Sequence, residues 1–391
     1  VPFVIETGGR YRLRQRLMNA DNRVLAFSEE DVRVFKGMTE ERDYLTSELF
    51  PALERKIEKW RSTNSTCAKA MSEELATLRA ELHDKRSGQE GLTRVRLRAD
   101  RLNSLLDAAS TLAETHSLMI WTSSPWGYFD PIQSLPSPES GVANLTARLW
   151  QNEYESLVLN LTNVSGKSLL VRVRCRGEND SYDSLAPAAI RLYRSALIPT
   201  ERRELVSDAL LPLDDSGVIS IPRYESVQVW MTINGNDLLS GQHAYELTFK
   251  TLEIESDTQR IPLTVTVEPL LLPRPRPLRV CLWTTGGGGK MTTDNDQVLQ
   301  DLVEHGVTVF FPIMPKGQWD KDGNLVGSID FSETDRTIRR LSPHGFLLFL
   351  SPQSCVSGPE FLSEPWKKAF VQFVKDWVAH VGRLGLTYSD W

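Results

Sequence analysis

Nowhere in the 391 residues do apolar side chains run for the roughly 18 positions that a membrane-spanning helix requires, so no segment reads as a bilayer span. Cysteine is scarce: Cys67, Cys175, Cys281 and Cys355 lie far apart with no C-x-x-C, which suggests neither a disulfide framework nor a zinc site. The six histidines are scattered, no His/Cys/Asp cluster has metal spacing, and neither a metal nor a cofactor is expected. There is no G-x-S-x-G elbow, and no Asp is followed directly by Glu. Lys and Arg total 45 against 51 Asp and Glu, a net charge of −6 that leaves no global basic footprint for nucleic acid.

What is present is a globular composition, 40% hydrophobic and 25% charged, at a length that fits about two to three domains. The chain starts at Val1 without an initiator Met or a signal-like segment, and it is expected to be a piece of a longer precursor. Residues 1–27 carry two β-like runs around a turn-forming cluster at 19–22. They are expected to be the terminal hairpin of an upstream sandwich, with Arg10, Arg12, Arg14 and Arg16 on one solvated face.

Residues 28–117 change period. Ser28 with Asp31 three positions on resembles a capping box. Leu45, Leu49, Leu53, Ile57 and Trp60 then recur at spacings of four and three, followed by Met71, Leu75, Leu78 and Leu82, and by Val95, Ala99, Leu102, Leu106 and Ala109. That pattern predicts long helices packed as a helical hairpin or small coiled coil, a spacer or a handle for oligomerisation. His83 and His116 stand alone on these helices and are not expected to bind metal.

Residues 118–272 read as a β-sandwich, with nine short runs separated by Asn, Gly, Asp and Pro. In the run 227–233, Val227, Val229, Met231 and Ile233 share one face. Trp230 faces the other way, either as a sugar-stacking platform or, the commoner fate, packed on a neighbouring domain. The proline-rich stretch 269–277 is a stiff linker to the next domain.

In residues 273–391 three near-continuous apolar runs, 278–285, 307–313 and 346–351, alternate with three helical patterns, and a fourth run opens at Leu386. Strands buried on both faces read this way, which predicts the first three βα units of a (β/α)8 barrel. The expected class is therefore multidomain α+β: helical hairpin or coiled coil, β-sandwich, and the opening of a TIM barrel.

Several motifs fail on inspection. Gly286 to Gly289 with Lys290 suggests a phosphate loop, but Thr284 and Met291 occupy positions where the pattern needs Gly and Ser or Thr. Asp320, Asp322 and Asn324 resemble the start of a calcium loop, yet Leu325 and Phe331 stand where Gly and Glu are required. Asp322 and Gly323 instead read as the tip of a hairpin. Asn64, Asn144, Asn160 and Asn163 each begin an N-x-[ST] pattern, which is permissive.

The segment 119–129, with Trp121, Pro125, Trp126, Gly127, Tyr128 and Phe129, the segment 151–163, the run Gly241 to Tyr245 and the proline-rich passage to Trp283 together resemble glycoside hydrolase family 123 and its relatives. The resemblance implies an N-terminal β-sandwich joined to a TIM barrel. It also implies substrate-assisted retaining hydrolysis of β-linked N-acetylgalactosamine, in which an Asp orients the sugar's acetamide and an adjacent Glu protonates the leaving oxygen. That Asp-Glu pair lies at the end of the fourth barrel strand in relatives, and this sequence has none, so no catalytic residue is assigned. Trp283, Thr284 and Thr285 after the first strand, Pro315, Gln318 and Trp319 after the second, and Gln353 after the third would form the substrate wall. Trp283 or Trp319 would stack on a sugar and Gln353 would bond its hydroxyls, unless their roles are structural. The expected partners are a glycan and the remainder of the barrel, in an extracellular or cell-surface setting. The alternative is a non-catalytic structural or carbohydrate-binding protein that uses the helices for assembly.

Overall fold

The computed structural model describes residues 8–18, 24–84, 88–113, 115–132, 134–136, 141–177, 185–199, 201, 205–253, 257–273, 278–281, 295–315, 317–344 and 355–387; of these, 13–18, 24–32, Thr111 and Leu205 are described by backbone alone. The fold is multidomain α+β. The chain divides into two compact units, Val1–Leu271 and Leu272–Trp391.

The first unit opens with an antiparallel hairpin, β1 (Gly9–Met18) and β2 (Val24–Val34). The second strand therefore runs through the residues expected to cap a helix. In the observed register residues 24–34 pair along 9–18, and this strand pairing overrides the local helix signal. Arg33 closes the hairpin onto the helices, donating to both Glu48 carboxylate oxygens at 2.8 and 2.9 Å.

Helix formation starts at α1 (Met38–Tyr44), passes through a π-helical turn (Leu45–Leu49) into α2 (Phe50–Arg61), and continues with α3 (Ser65–His83) and α4 (Gln89–Leu112). Asn64 begins α3 as its N-cap, accepting from Cys67 N at 3.1 Å and thereby satisfying one of the orphan donors of the first turn. The apolar stripes of these helices meet in one core around Leu53, Met71, Leu78 and Leu105, which also takes in Met119 and Val164 of the sandwich. The stripes that offered a handle for assembly are thus used within the chain. Met38 and Leu97 are the large apolar side chains left exposed among the described residues of these helices.

Two five-stranded sheets form the sandwich. One has the order β3 (Leu118–Thr122), β5 (Tyr154–Asn163), β10 (Ser226–Asn234), β7 (Ile190–Pro199), β8 (Leu205–Pro212). The other runs β4 (Leu145–Gln151), β12 (Thr258–Leu271), β11 (Gly241–Thr251), β6 (Leu169–Gly177), β9 (Val218–Ile221). All pairings are antiparallel except β12 with β4. Alternation fills the space between the sheets: Val229, Met231 and Ile233 are buried in that core with Val227 at its margin, as the run predicts.

In the second unit, Cys281 forms a parallel bridge with Val309, and between them runs α5 (Asp296–Glu304). This single bridge is what the described residues carry of the first two expected barrel strands; 307–313 forms no strand beyond it. Helices α6 (Ser332–Leu341) and α7 (Glu364–Arg383) follow. Trp366, Ala369, Phe373, Trp377 and Val381, spaced three and four apart along α7, build its core with Trp319 and Ile338. His380 Nε2 lies 2.6 Å from Asp335 Oδ1, joining α6 to α7, and Phe331 stacks on the imidazole at 3.8 Å. The third expected strand, 346–351, and most of the fourth run, 386–391, lie outside the described residues.

The hairpin read from Asp322 and Gly323 is present. Trp319 bridges Leu325, Val326 N donates to Gln318 O at 2.8 Å, and Gly323 takes φ +76 at the tip. The Asp320 carboxylate accepts from the Asp322 and Asn324 amides and the Asn324 side chain, bonds that hold it below the ordinary aspartate range.

Candidate functional site

The most exposed aromatic surface among the described residues lies on the sandwich, on the segment that follows β3. Trp126 is 85% exposed and Tyr128 73%. Burial of such rings is worth about 1.5–3 kcal/mol, so a chain that leaves two of them in water on one loop forgoes that stabilisation.

The loop is not loose. Ser124, Pro125, Trp126 and Gly127 make a tight turn in which Gly127 N donates to Ser124 O at 3.0 Å, with Pro at the position its fixed φ favours. Asp130 then organises the exit: its Oδ1 accepts from Ile132 N at 2.7 Å, and its own N–H donates to Ser134 Oγ at 2.8 Å. Phe129 is buried. Ser226 N donates to Pro131 O at 2.8 Å, tying the loop to β10.

Beneath it, the outer face of the first sheet carries a buried polar ladder. Gln228 Nε2 donates to Asn160 Oδ1 at 3.2 Å, and Asn160 Nδ2 donates to Ser123 Oγ at 2.9 Å. Trp121 Nε1 reaches Thr162 Oγ1 at 2.9 Å, which in turn meets Ser226 Oγ at 2.7 Å. Trp230 belongs to this face and is half-buried. Its ring meets that of Trp126 edge-on, with centroids 5.7 Å apart at 77°. Trp230 therefore packs within its own unit and acts as the backing for Trp126, whose ring is the one open to a ligand. A fixed, exposed indole suits the apolar C–H face of a pyranose, with hydroxyls left free to bond the polar rim.

The residues expected to form the substrate wall lie elsewhere. Trp283, Thr284, Thr285 and Gln353 lie outside the described residues. Trp319 is 5% exposed, with its ring against Phe373 at a centroid separation of 6.1 Å and its indole N–H without an acceptor among the described residues. That ring is core, and its packing there is the role the structure shows. Pro315 is buried as well, and Gln318 is exposed. Trp126 and Tyr128 had already been singled out as part of the family resemblance, but not as contacts. Their signal was local: two large aromatics flanking a glycine directly after a proline, in a segment with no strand or helix period.

Other chemistry-bearing groups prove structural. His116 pairs with Asp257 at 2.7 Å, and Cys67 Sγ lies 3.8 Å from the Ser117 hydroxyl. Burial pushes the Cys67 thiol up, so it is held neutral and is no nucleophile. No group of three His, Cys, Asp or Glu side chains could hold a metal ion among the described residues. Of the N-x-[ST] asparagines named above, Asn64, Asn160 and Asn163 are buried and hydrogen-bonded, while Asn144 is exposed.

No protein-family model matches the sequence, and none of the curated proteins compared with it matches. Among solved structures the chain is similar to a family 123 glycoside hydrolase from Clostridium perfringens that acts on glycolipid glycans. The two share 12% identity over 69% of this chain, with a TM-score of 0.48. The chain spans 57% of that hydrolase's length. It is also similar to the PapD-like domain of human CEP192, at 13% identity over 37% of this chain and 96% of that one, TM-score 0.19. A third similar structure is the E. coli chaperone DraB, at 12% identity over 32% of this chain and 53% of that one, TM-score 0.20. These are distant likenesses of fold.

Proposed function

We propose that this chain is the glycan-holding part of a glycoside hydrolase-like protein. The observation that carries the reading is Trp126, 85% exposed on a loop pinned to the sheet by hydrogen bonds and backed by Trp230. A ring kept in water by a rigid support is preorganised, so a sugar that covers it gains apolar burial without ordering the protein. Tyr128, two positions on, adds a second ring.

The family that segment 119–129 resembles supplies the substrate class: a β-linked N-acetylhexosamine glycan, met outside the cell or at its surface. Hydrolysis would follow the substrate-assisted retaining route, with the acetamide oxygen as nucleophile. The Asp-Glu pair that this route needs is absent from the sequence. In this reading it comes from the remainder of the barrel, in the same precursor or in another chain.

Two measurements test it. The chain should be retained on immobilised β-linked N-acetylgalactosamine oligosaccharide, and Trp126→Ala should abolish retention. Release of N-acetylhexosamine by this chain alone would refute the placement of the catalytic carboxylates elsewhere. A second reading, a surface protein that holds glycan without cleaving it, is favoured by the same platform, because stacking needs no carboxylate. It stands if retention occurs and supplying the remaining barrel yields no turnover.

A further inference from the structure

A second site lies in the first unit, where α4 meets the turn between β9 and β10. A cavity of about 310 Å3 is lined by Arg94, Arg98 and Arg101, one face of α4, and by Arg223 from the turn. Glu74 and Glu225 are the acids in its wall. Three of the four cations are matched. Arg98 donates to Glu74 at 2.5 Å and to Glu81 at 2.8 Å, Arg223 lies 3.4 Å from Glu74, and Arg94 lies 3.9 Å from Glu90.

Arg101 is different. Among the described residues no carboxylate stands within ion-pair distance of it. Its donors reach only two carbonyls, Tyr224 O at 3.2 and 3.4 Å and Ser134 O at 3.5 Å. Those bonds are long for a guanidinium, whose five N–H groups suit a bidentate acid. Tyr224, which presents its carbonyl to Arg101, takes φ +58, a backbone conformation rarely adopted by a bulky residue. The lip is apolar: Leu97 is 57% and Ile132 56% exposed.

The geometry points to a binding site for a small organic anion with an apolar body, its acidic head on Arg101 and its body against Leu97 and Ile132. The cavity is at the small end of ligand-site volumes, about 300–1,000 Å3. Burial pushes Arg101 down to about 10 against the smaller opposing pull of the Asp130 and Glu225 carboxylates, and a bound anion would add to that pull. The proposal does not rest on the glycan reading, although the two sites are neighbours: Arg101 bonds Ser134 O and Ile132 lies at the exit of the Trp126 loop.

The test is calorimetric titration of the full chain with octanoate, octanol and inorganic phosphate. Octanoate should bind saturably at one site, at least about tenfold more tightly than either octanol, which lacks the charge, or phosphate, which lacks the body. Arg101→Gln should weaken octanoate by about tenfold or more. Because Arg101 is half-buried and bonded to two carbonyls, Leu97→Asp is the second variant; it puts a negative charge on an exposed lip and should weaken octanoate while leaving the melting temperature unchanged. Absence of saturable octanoate binding, equal binding of octanol, or wild-type affinity in folded Leu97→Asp protein would each overturn the assignment.

Discussion

His116 Nδ1 lies 2.7 Å from Asp257 Oδ1, and the other oxygen of the same carboxylate accepts from Ser117 N at 3.0 Å. Asp257 is buried and leads into β12, while His116 follows α4, so one carboxylate fastens the helical layer to the sandwich. The expected result for Asp257→Ala is a loss of about 1–3 kcal/mol, because two donors lose their acceptor in a buried place. Urea denaturation measures it. Adding His116→Ala to the variant should cost less than it does in the wild type, since the pair acts as a unit.

Glu41 makes a comparable prediction at the other end of the helices. It is almost fully buried and accepts from Arg96 Nε at 2.6 Å and Gln89 Nε2 at 2.9 Å. Removing the carboxylate leaves Arg96 largely buried without its main counter-charge, so Glu41→Ala should cost about 2–4 kcal/mol in thermal or chemical unfolding. Arg96→Ala should cost a similar amount, and the double variant less than the sum of the two.

Gly323 separates backbone strain from steric clash. It sits at φ +76, and a Cβ there would lie 2.1 Å from Pro365 O. Gly327 has φ +81 with open space around the same position. Gly327→Ala should therefore lose about 1–2 kcal/mol from the left-handed backbone alone, and Gly323→Ala clearly more, read from the melting of the tryptophan-rich second unit.

Arg101 and Tyr224 predict opposing pH terms. Burial lowers Arg101 to about 10, so the folded state loses its proton first and stability rises with pH from about 10 towards the ordinary arginine value. Burial raises Tyr224, so the unfolded chain ionises first and stability falls with pH above the ordinary tyrosine value of about 10. Alkaline urea titrations should show a steeper loss in Arg101→Gln than in wild type, and a shallower one in Tyr224→Phe.

The sandwich was readable because its strands alternate: the run ending in Ile233 shows which side faces the core without any structure. Strand β8 was not, since Leu205 to Pro212 combines a mid-strand Asp208 with a terminal proline and no period-two pattern. Its place in the sheet comes from pairing with β7. The acidic residues after Ser28 read locally as a helix start, but what decides them is pairing with β1, a partner that local pattern reading does not weigh. The arginine face of α4 was visible in principle, as Arg94, Arg98 and Arg101 fall four and three apart. That Arg101 bonds carbonyls, with no carboxylate at ion-pair distance among the described residues, depends on the distant Tyr224 turn, which only the fold brings near. Trp126 is the converse case. Its identity was noted, but its exposure depends on the polar ladder that holds the loop outward.

Glycan holding by this chain turns on that exposure. Titrating a β-linked N-acetylgalactosamine oligosaccharide into the chain while following tryptophan fluorescence tests it most directly. A saturable change is expected that disappears in Trp126→Ala protein with an unchanged melting temperature. No saturable change in the wild type, or an equal one in Trp126→Ala, would contradict it.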